Sequence, residues 1–251
     1  MTEARLSWRI EETCFNAFPS LRQVLFGDWL MRFSAGLSRR ANSVNPLRPD
    51  CTDVAAAVMA AEALYHAQGL PTIFRVTSIV DPVLDRELAA RGYASEGKSC
   101  VLYGAIDALA AAADPAVRLL RSPDAAWLAA MARLQRHTPA HRAIYRRIVD
   151  AIAIPARFAM LIEDGKPAGL AYGVIHDGLL CYESVITDPG RRRQGCARRV
   201  IASLASWARD SGAAGACLQV EAGNTPGRAL YRGFGLAERY RYHYRREPPQ
   251  R

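Results

Sequence analysis

Two Asp-Gly pairs, Asp164-Gly165 and Asp177-Gly178, separate runs of apolar residues. Asp-Gly is a strong hairpin signal, because both central positions of a tight type I′ turn need positive φ. The flanking runs at 158–163, 169–175 and 179–187 are short, apolar and partly β-branched. They predict three antiparallel strands in a meander. Asp188-Pro189-Gly190 stops the third strand, since proline removes a ladder donor. The period then changes. Residues 196–211 place Val200, Ile201, Leu204, Ala205 and Ala208 on one helical face. Gly212 stops that helix. A strand is expected at 216–220. A short helix follows, with Thr225 as N-cap and Pro226 at the first position. It closes between Gly233 and Gly235. A last strand spans 240–245, with Tyr240, Tyr242 and Tyr244 alternating along it. Helices at 125–134 and 143–153 precede the meander. Helices, meander, helix, strand, short helix and strand make an α+β domain: a mixed, mostly antiparallel sheet flanked by helices.

The N-terminal half repeats the end of this pattern. Strands are expected at 28–33 and 40–44, a long helix at 53–67, a strand at 72–76, a short helix at 85–91 and a strand at 99–106. The short helix ends Leu88-Ala89-Ala90-Arg91-Gly92-Tyr93, much as the second copy ends Tyr231-Arg232-Gly233-Phe234-Gly235-Leu236. Two copies of one unit in tandem are therefore expected. The boundary falls in the alanine-rich stretch 108–115, giving domains 1–112 and 113–251. The segment containing Trp29, Arg32, Phe33, Ser34, Arg39, Arg40, Asn42 and Ser43 is dense in polar and aromatic groups. It packs between the halves or lines an acceptor site.

The chain has 251 residues, is 50% hydrophobic and carries a net charge of +9. No apolar run approaches the ~18 residues of a membrane span, and the first residues lack a secretory apolar core. A cytoplasmic, membrane-free protein is expected, as a monomer or homodimer. The positive charge is almost all arginine, with only Lys98 and Lys166 as lysines. No basic tract is interleaved with aromatics, which argues against a nucleic-acid partner. Cys14, Cys51, Cys100, Cys181, Cys196 and Cys217 are scattered, with no C-x-x-C pair and no metal-ligand spacing. They are read as buried thiols, and no metal is expected. His137 and His141 are four apart with Pro139 between them, which reads as loop histidines rather than a helical metal pair.

The chemistry concentrates at 191–198, Arg191-Arg192-Arg193-Gln194-Gly195-Cys196-Ala197-Arg198. A helix starts here, so unpaired N–H groups and the positive end of the macrodipole face outward. Helices favour acidic residues in the first turn. Arginines oppose the dipole unless an anion occupies the site. Gly195 and Ala197 are small enough for a phosphate to approach the backbone.

Arg192-x-x-Gly195-x-Ala197 resembles the acetyl-CoA loop of the GNAT superfamily of N-acyltransferases. The strand ending Val185-Ile186-Thr187-Asp188-Pro189 precedes it, and Asn224 with Ala229-Leu230-Tyr231-Arg232-Gly233-Phe234-Gly235 follows. The likeness covers about residues 117–246. It implies an N-acetyltransferase that moves an acetyl group from acetyl-CoA, a cosubstrate, to a small-molecule or protein primary amine by direct attack in a ternary complex. It also implies that the fourth and fifth strands splay around the pantetheine arm. Val185, Ile186, Thr187, Arg192, Arg193, Gln194, Gly195, Cys196, Ala197, Arg198 and Asn224 would bind cofactor. Tyr231 would protonate the departing thiolate, with a phenol near its ordinary pKa of about 10. Glu183, placed by strand alternation on the face of Val185, would be the base, as in polyamine-acetylating members. Leu236 stands where the family usually has phenylalanine. The first copy lacks the loop, has Pro46 and Pro49 before its long helix, and carries Leu88 at the tyrosine position. It reads as degenerate, so one CoA per chain is expected. A non-catalytic CoA sensor or scaffold on the same fold is the alternative. The arginine-rich segments 135–153 and 238–246 point toward an acidic acceptor.

Overall fold

A computed structural model of the protein describes residues 2–110 and 114–249. The expected boundary between residues 112 and 113 lies outside the described residues. The chain forms two compact units that interleave in sequence. One comprises residues 1–19, 101–220 and 224–239; the other comprises 20–100, 221–223 and 240–251. The division runs through two strands, β5 (Ala94–Ala105) and β11 (Ala237–Arg246). The last part of β5 thus belongs with the larger unit, and most of β11 belongs with the smaller one. A cut at one sequence position cannot describe that arrangement.

The larger unit holds a mixed sheet in the order β5-β10-β9-β8-β7-β6. Its further strands are β6 (Val117–Leu120), β7 (Ala156–Glu163), β8 (Lys166–His176), β9 (Leu179–Thr187) and β10 (Gly215–Glu221). The two turns form as the Asp-Gly pairs predict. Asp164, Gly165, Asp177 and Gly178 have φ of 49°, 70°, 43° and 72°, the left-handed values that a type I′ turn needs. β6 to β9 are antiparallel neighbours, and β10 is parallel to β9.

Helices cover both faces of this sheet. On one side α6 (Cys196–Asp210) buries Val200, Ile201, Leu204, Ala205 and Ala208 completely. Tyr182 on β9 donates from its hydroxyl to the Ile201 carbonyl at 3.1 Å. The other side carries α1 (Glu3–Ala17), α4 (Ala125–Leu134) and α5 (Pro139–Asp150). There Trp127 packs edge-on against Phe158 at 5.1 Å and donates from its ring N–H to the Ala159 carbonyl at 3.0 Å. α1 lies on β8 and β9, and the Tyr172 hydroxyl donates to the Ala17 carbonyl at 2.9 Å. α7 (Thr225–Arg232) follows β10.

The smaller unit has the order β1-β2-β3-β4-β11, with β1 (Arg22–Phe26), β2 (Trp29–Phe33), β3 (Val44–Pro46) and β4 (Ile73–Thr77), α2 (Val54–His66) and α3 (Val83–Ala90). β3 is parallel to β4, as β9 is to β10. The expected strand at 40–44 is instead a 3-10 turn, Arg39–Ala41, leading into β3. Trp29, Arg32, Phe33, Ser34, Asn42 and Ser43 are buried within this unit. Asn42 accepts from the N–H groups of Ser34 and Gly36 at 2.7 and 2.9 Å, and Arg32 donates to the Arg40 carbonyl at 2.7 Å. These residues hold their own turn together. Among the described residues no helix is long and apolar enough to cross a membrane.

Candidate active site

The site begins where β9 and β10 part. Their paired residues run from Gly215 opposite Leu179 to Leu218 opposite Tyr182 and then stop. β9 continues to Thr187 and β10 to Glu221. Between the diverging ends lies a cleft of about 720 Å³, walled by β9, the start of α6 and α7.

A bulge shapes the β9 wall. Leu170 faces Ile186 and Tyr172 faces Glu183, so one β8 residue spans Ser184 and Val185. Two residues opposite one leave backbone groups outside the ladder. Ser184 takes φ of 53°, a conformation that costs a non-glycine residue on the order of 1–3 kcal/mol. The hydroxyl of Tyr145 on α5 donates to Ser184 Oγ at 2.8 Å and helps hold it there. The bulge also breaks the two-residue alternation, so the expected shared face of Glu183 and Val185 does not follow. Glu183 is buried (3% exposed). Val185, Ile186 and Thr187 line the cleft.

The floor is the loop before α6. Gly195 caps the helix with φ of 80° and leaves space beyond its Cα. Only glycine takes that conformation cheaply. The arginines divide into two sets. Arg191 pairs with Asp164 and lies 3.9 Å from Glu163; Arg199 pairs with Glu163 and Asp114. Those pairs strap the loop to β7 and to the residues before β6. Arg192 and Arg193 are exposed and have no acidic partner among the described residues. Arg198 stacks over the Phe234 ring at 4.4 Å. The expected cofactor residues Val185, Ile186, Thr187, Arg192, Arg193, Gly195, Cys196, Ala197, Arg198 and Asn224 all line the cleft, whereas Gln194 does not. Arg191, Pro226, Gly227 and Leu230 line it too. The last three sit on α7, and their position depends on how that helix folds back, which no local pattern states.

Asn224, not Thr225, caps α7: its side-chain oxygen accepts from the Gly227 N–H at 3.0 Å. That fit needs the glycine, since a Cβ there would lie 2.8 Å from Asn224 Nδ2. Tyr231 lines the cleft with its ring mostly buried. Burial, and then the charge of Glu183, push its phenol well above the ordinary range. The expectation of a phenol near its ordinary pKa is therefore revised.

The histidines behave differently from two loop residues. α5 begins at Pro139, so His141 is helical. His137 packs at 5.1 Å from the Tyr145 ring, and burial lowers its pKa. The cysteines are free thiols, buried as expected except for half-buried Cys51. Cys14, Cys181 and Cys217, far apart in sequence, bring their sulfurs within 4.8 Å of one another.

A family model described as "Probable histone acetyltransferase Rv0428c C-terminal" matches residues 8–245. The chain is 24% identical over 243 residues to the uncharacterized N-acetyltransferase YobR of Bacillus subtilis (strain 168), covering 94% of this chain and 97% of that protein. A GCN5-related N-acetyltransferase from Kribbella flavida superposes with a TM-score of 0.72 at 17% identity, over 98% of this chain and 96% of that one. A tandem GNAT protein from the clavulanic acid biosynthesis pathway superposes with a TM-score of 0.62 at 13% identity, over 83% and 76% of the two chains. The two structural likenesses show the fold. The family match spans nearly the whole sequence, and on it the chain belongs to the Rv0428c acetyltransferase C-terminal family, within the GNAT superfamily.

Proposed function

We propose that this acetyltransferase moves an acetyl group from acetyl-CoA to a primary amine by direct attack in a ternary complex. The parting of β9 and β10 over an arginine-rich helix start carries the reading. A helix N-terminus with a left-handed glycine cap and two unpaired arginines suits a pyrophosphate. The diverging strands suit an extended pantetheine arm.

The bulge at Ser184 and Val185 supports the chemical step. Backbone N–H groups released from the ladder stabilise the oxyanion that forms when an amine attacks a thioester. The amine must be neutral, and Glu183, buried near Tyr231, is the carboxylate proposed to take its proton. Burial and the charge of Glu183 favour the protonated form of Tyr231. Complete proton transfer to a thiolate, whose acid has a pKa of about 8.5, is then uphill. Tyr231 therefore acts on the departing sulfur as a hydrogen-bond donor.

In this reading the smaller unit is a degenerate second copy. Supporting it, α2 is flanked by the parallel pair β3 and β4, as α6 is by β9 and β10. Pro46 and Pro49 remove donors before α2, and Leu88 is fully buried where Tyr231 stands in the other copy. The test is acetyl-CoA turnover with a panel of small amines, acidic amines and peptide amines, followed by thiol release. Amine-dependent release supports the reading. Tight CoA binding without release for any acceptor class would favour a CoA sensor or scaffold.

A further inference from the structure

Cys14 on α1, Cys181 on β9 and Cys217 on β10 meet in the core of the larger unit. Their exposures are 5%, 0% and 0%. The geometry has a simple origin. Cys181 and Cys217 are register partners across the parallel β9–β10 pair. α1 packs on β8 and β9 and sets Cys14 over them, with its sulfur 3.9 Å from that of Cys181. None of the three forms a disulfide.

Three soft donors converging from three elements match a thiolate metal site better than a packing accident requires. Zinc–sulfur bonds of about 2.3 Å in tetrahedral geometry hold sulfurs about 3.8 Å apart. The Cys14–Cys181 separation already meets that spacing. The remaining sulfurs lie within 4.8 Å, so small side-chain rotations close the set. Charge selects the ion. A divalent ion with three thiolates leaves one net negative charge in the core, whereas a monovalent ion leaves two, and buried net charge is costly.

We propose that Cys14, Cys181 and Cys217 bind one thiophilic divalent ion of the zinc type. Each coordinating thiol gives its proton to solvent as its sulfur bonds the metal. The ion would tie α1 to the two strands just before they part.

The experiment uses the full chain, chelator-treated under reducing conditions. Cd(II) is titrated as a spectroscopic probe and Zn(II) is measured by competition with a chromogenic chelator. Because the site is buried, a second sample is refolded with each metal. One ion per chain with thiolate-to-cadmium charge-transfer absorption is expected. Cys14→Ala and Cys217→Ala, each checked for folding by circular dichroism, should weaken binding by about tenfold or more, since even outer-shell losses cost about 10–100-fold. Absence of the band in both native and refolded protein would overturn the proposal. So would a band that survives both variants, which would place the ion on other cysteines.

Discussion

Replacing Gly195 with alanine separates the cofactor grip from the stability of the fold. The residue has φ of 80° and nothing within 4 Å of where a Cβ would stand, so the substitution creates no clash. Its folding cost is the left-handed penalty, about 1–2 kcal/mol. In a chain this long, each kcal/mol shifts Tm by about 2–4 °C, so a fall of roughly 2–8 °C is expected by differential scanning fluorimetry. The cofactor cost is separate. If a phosphate sits against this backbone, the added methyl displaces it and weakens at least one charge-assisted hydrogen bond. Such a bond contributes about 1.5–3 kcal/mol, or roughly 10–150-fold in Kd. CoA binding by calorimetry should weaken by that factor. Acetyl transfer from a short thioester lacking the pyrophosphate should stay within about twofold of wild type at temperatures where both proteins are folded. A Gly195→Ala variant with the expected Tm loss and an unchanged Kd for CoA would refute the placement of the pyrophosphate at this helix start.

Tyr231→Phe should lower kcat by about 10²-fold or more, the scale of one lost hydrogen-bond donor to developing charge, with little change in acetyl-CoA KM; steady-state kinetics decide, and an unchanged kcat removes the tyrosine from the chemistry. Tyr145→Phe deletes the bond to Ser184 Oγ, so stability should fall by about 0.5–1.5 kcal/mol. Its kcat should fall at constant CoA affinity, because the bulge loosens while the loop does not; equal losses in both would show a merely structural role. Asp114 is held below the usual carboxylate range chiefly by its hydrogen bond from Arg199. Its contribution to stability is therefore present above its unfolded pKa and lost as pH falls through the lower folded value. Asp114→Asn should destabilise the protein at neutral pH, and the gap to wild type should shrink below about pH 4 in urea melts; a gap independent of pH would contradict this account of the strap.

Where local chemistry determines an element, its reading was direct. The Asp-Gly pairs specify positive φ, and α4 and β9 span the expected residues. α1 left a weaker trace. Its buried positions include Ser7, Glu11 and Thr13, so no clean apolar stripe marks it. β1 is exposed along its whole length and has no inside-outside period to detect. The bulge at Ser184 carries no glycine, so nothing local announced it, and strand alternation across it does not fix the relative faces of Glu183 and Val185. The division of β5 and β11 between the units depends on long-range pairing. Sequence order cannot show which strand completes which sheet. The same holds for the cysteines, whose meeting depends on the register of β9 against β10 and the seat of α1.

The mechanism stands most directly on initial rates measured over a matrix of acetyl-CoA and acceptor concentrations, with product mass confirmed. Direct attack in a ternary complex predicts intersecting double-reciprocal lines, acetylated amine formed in step with free CoA, and no acetylated protein when acetyl-CoA is supplied alone. Parallel lines with a covalent acetyl-enzyme, or CoA that binds without ever being released as thiol in the presence of an amine, would contradict it.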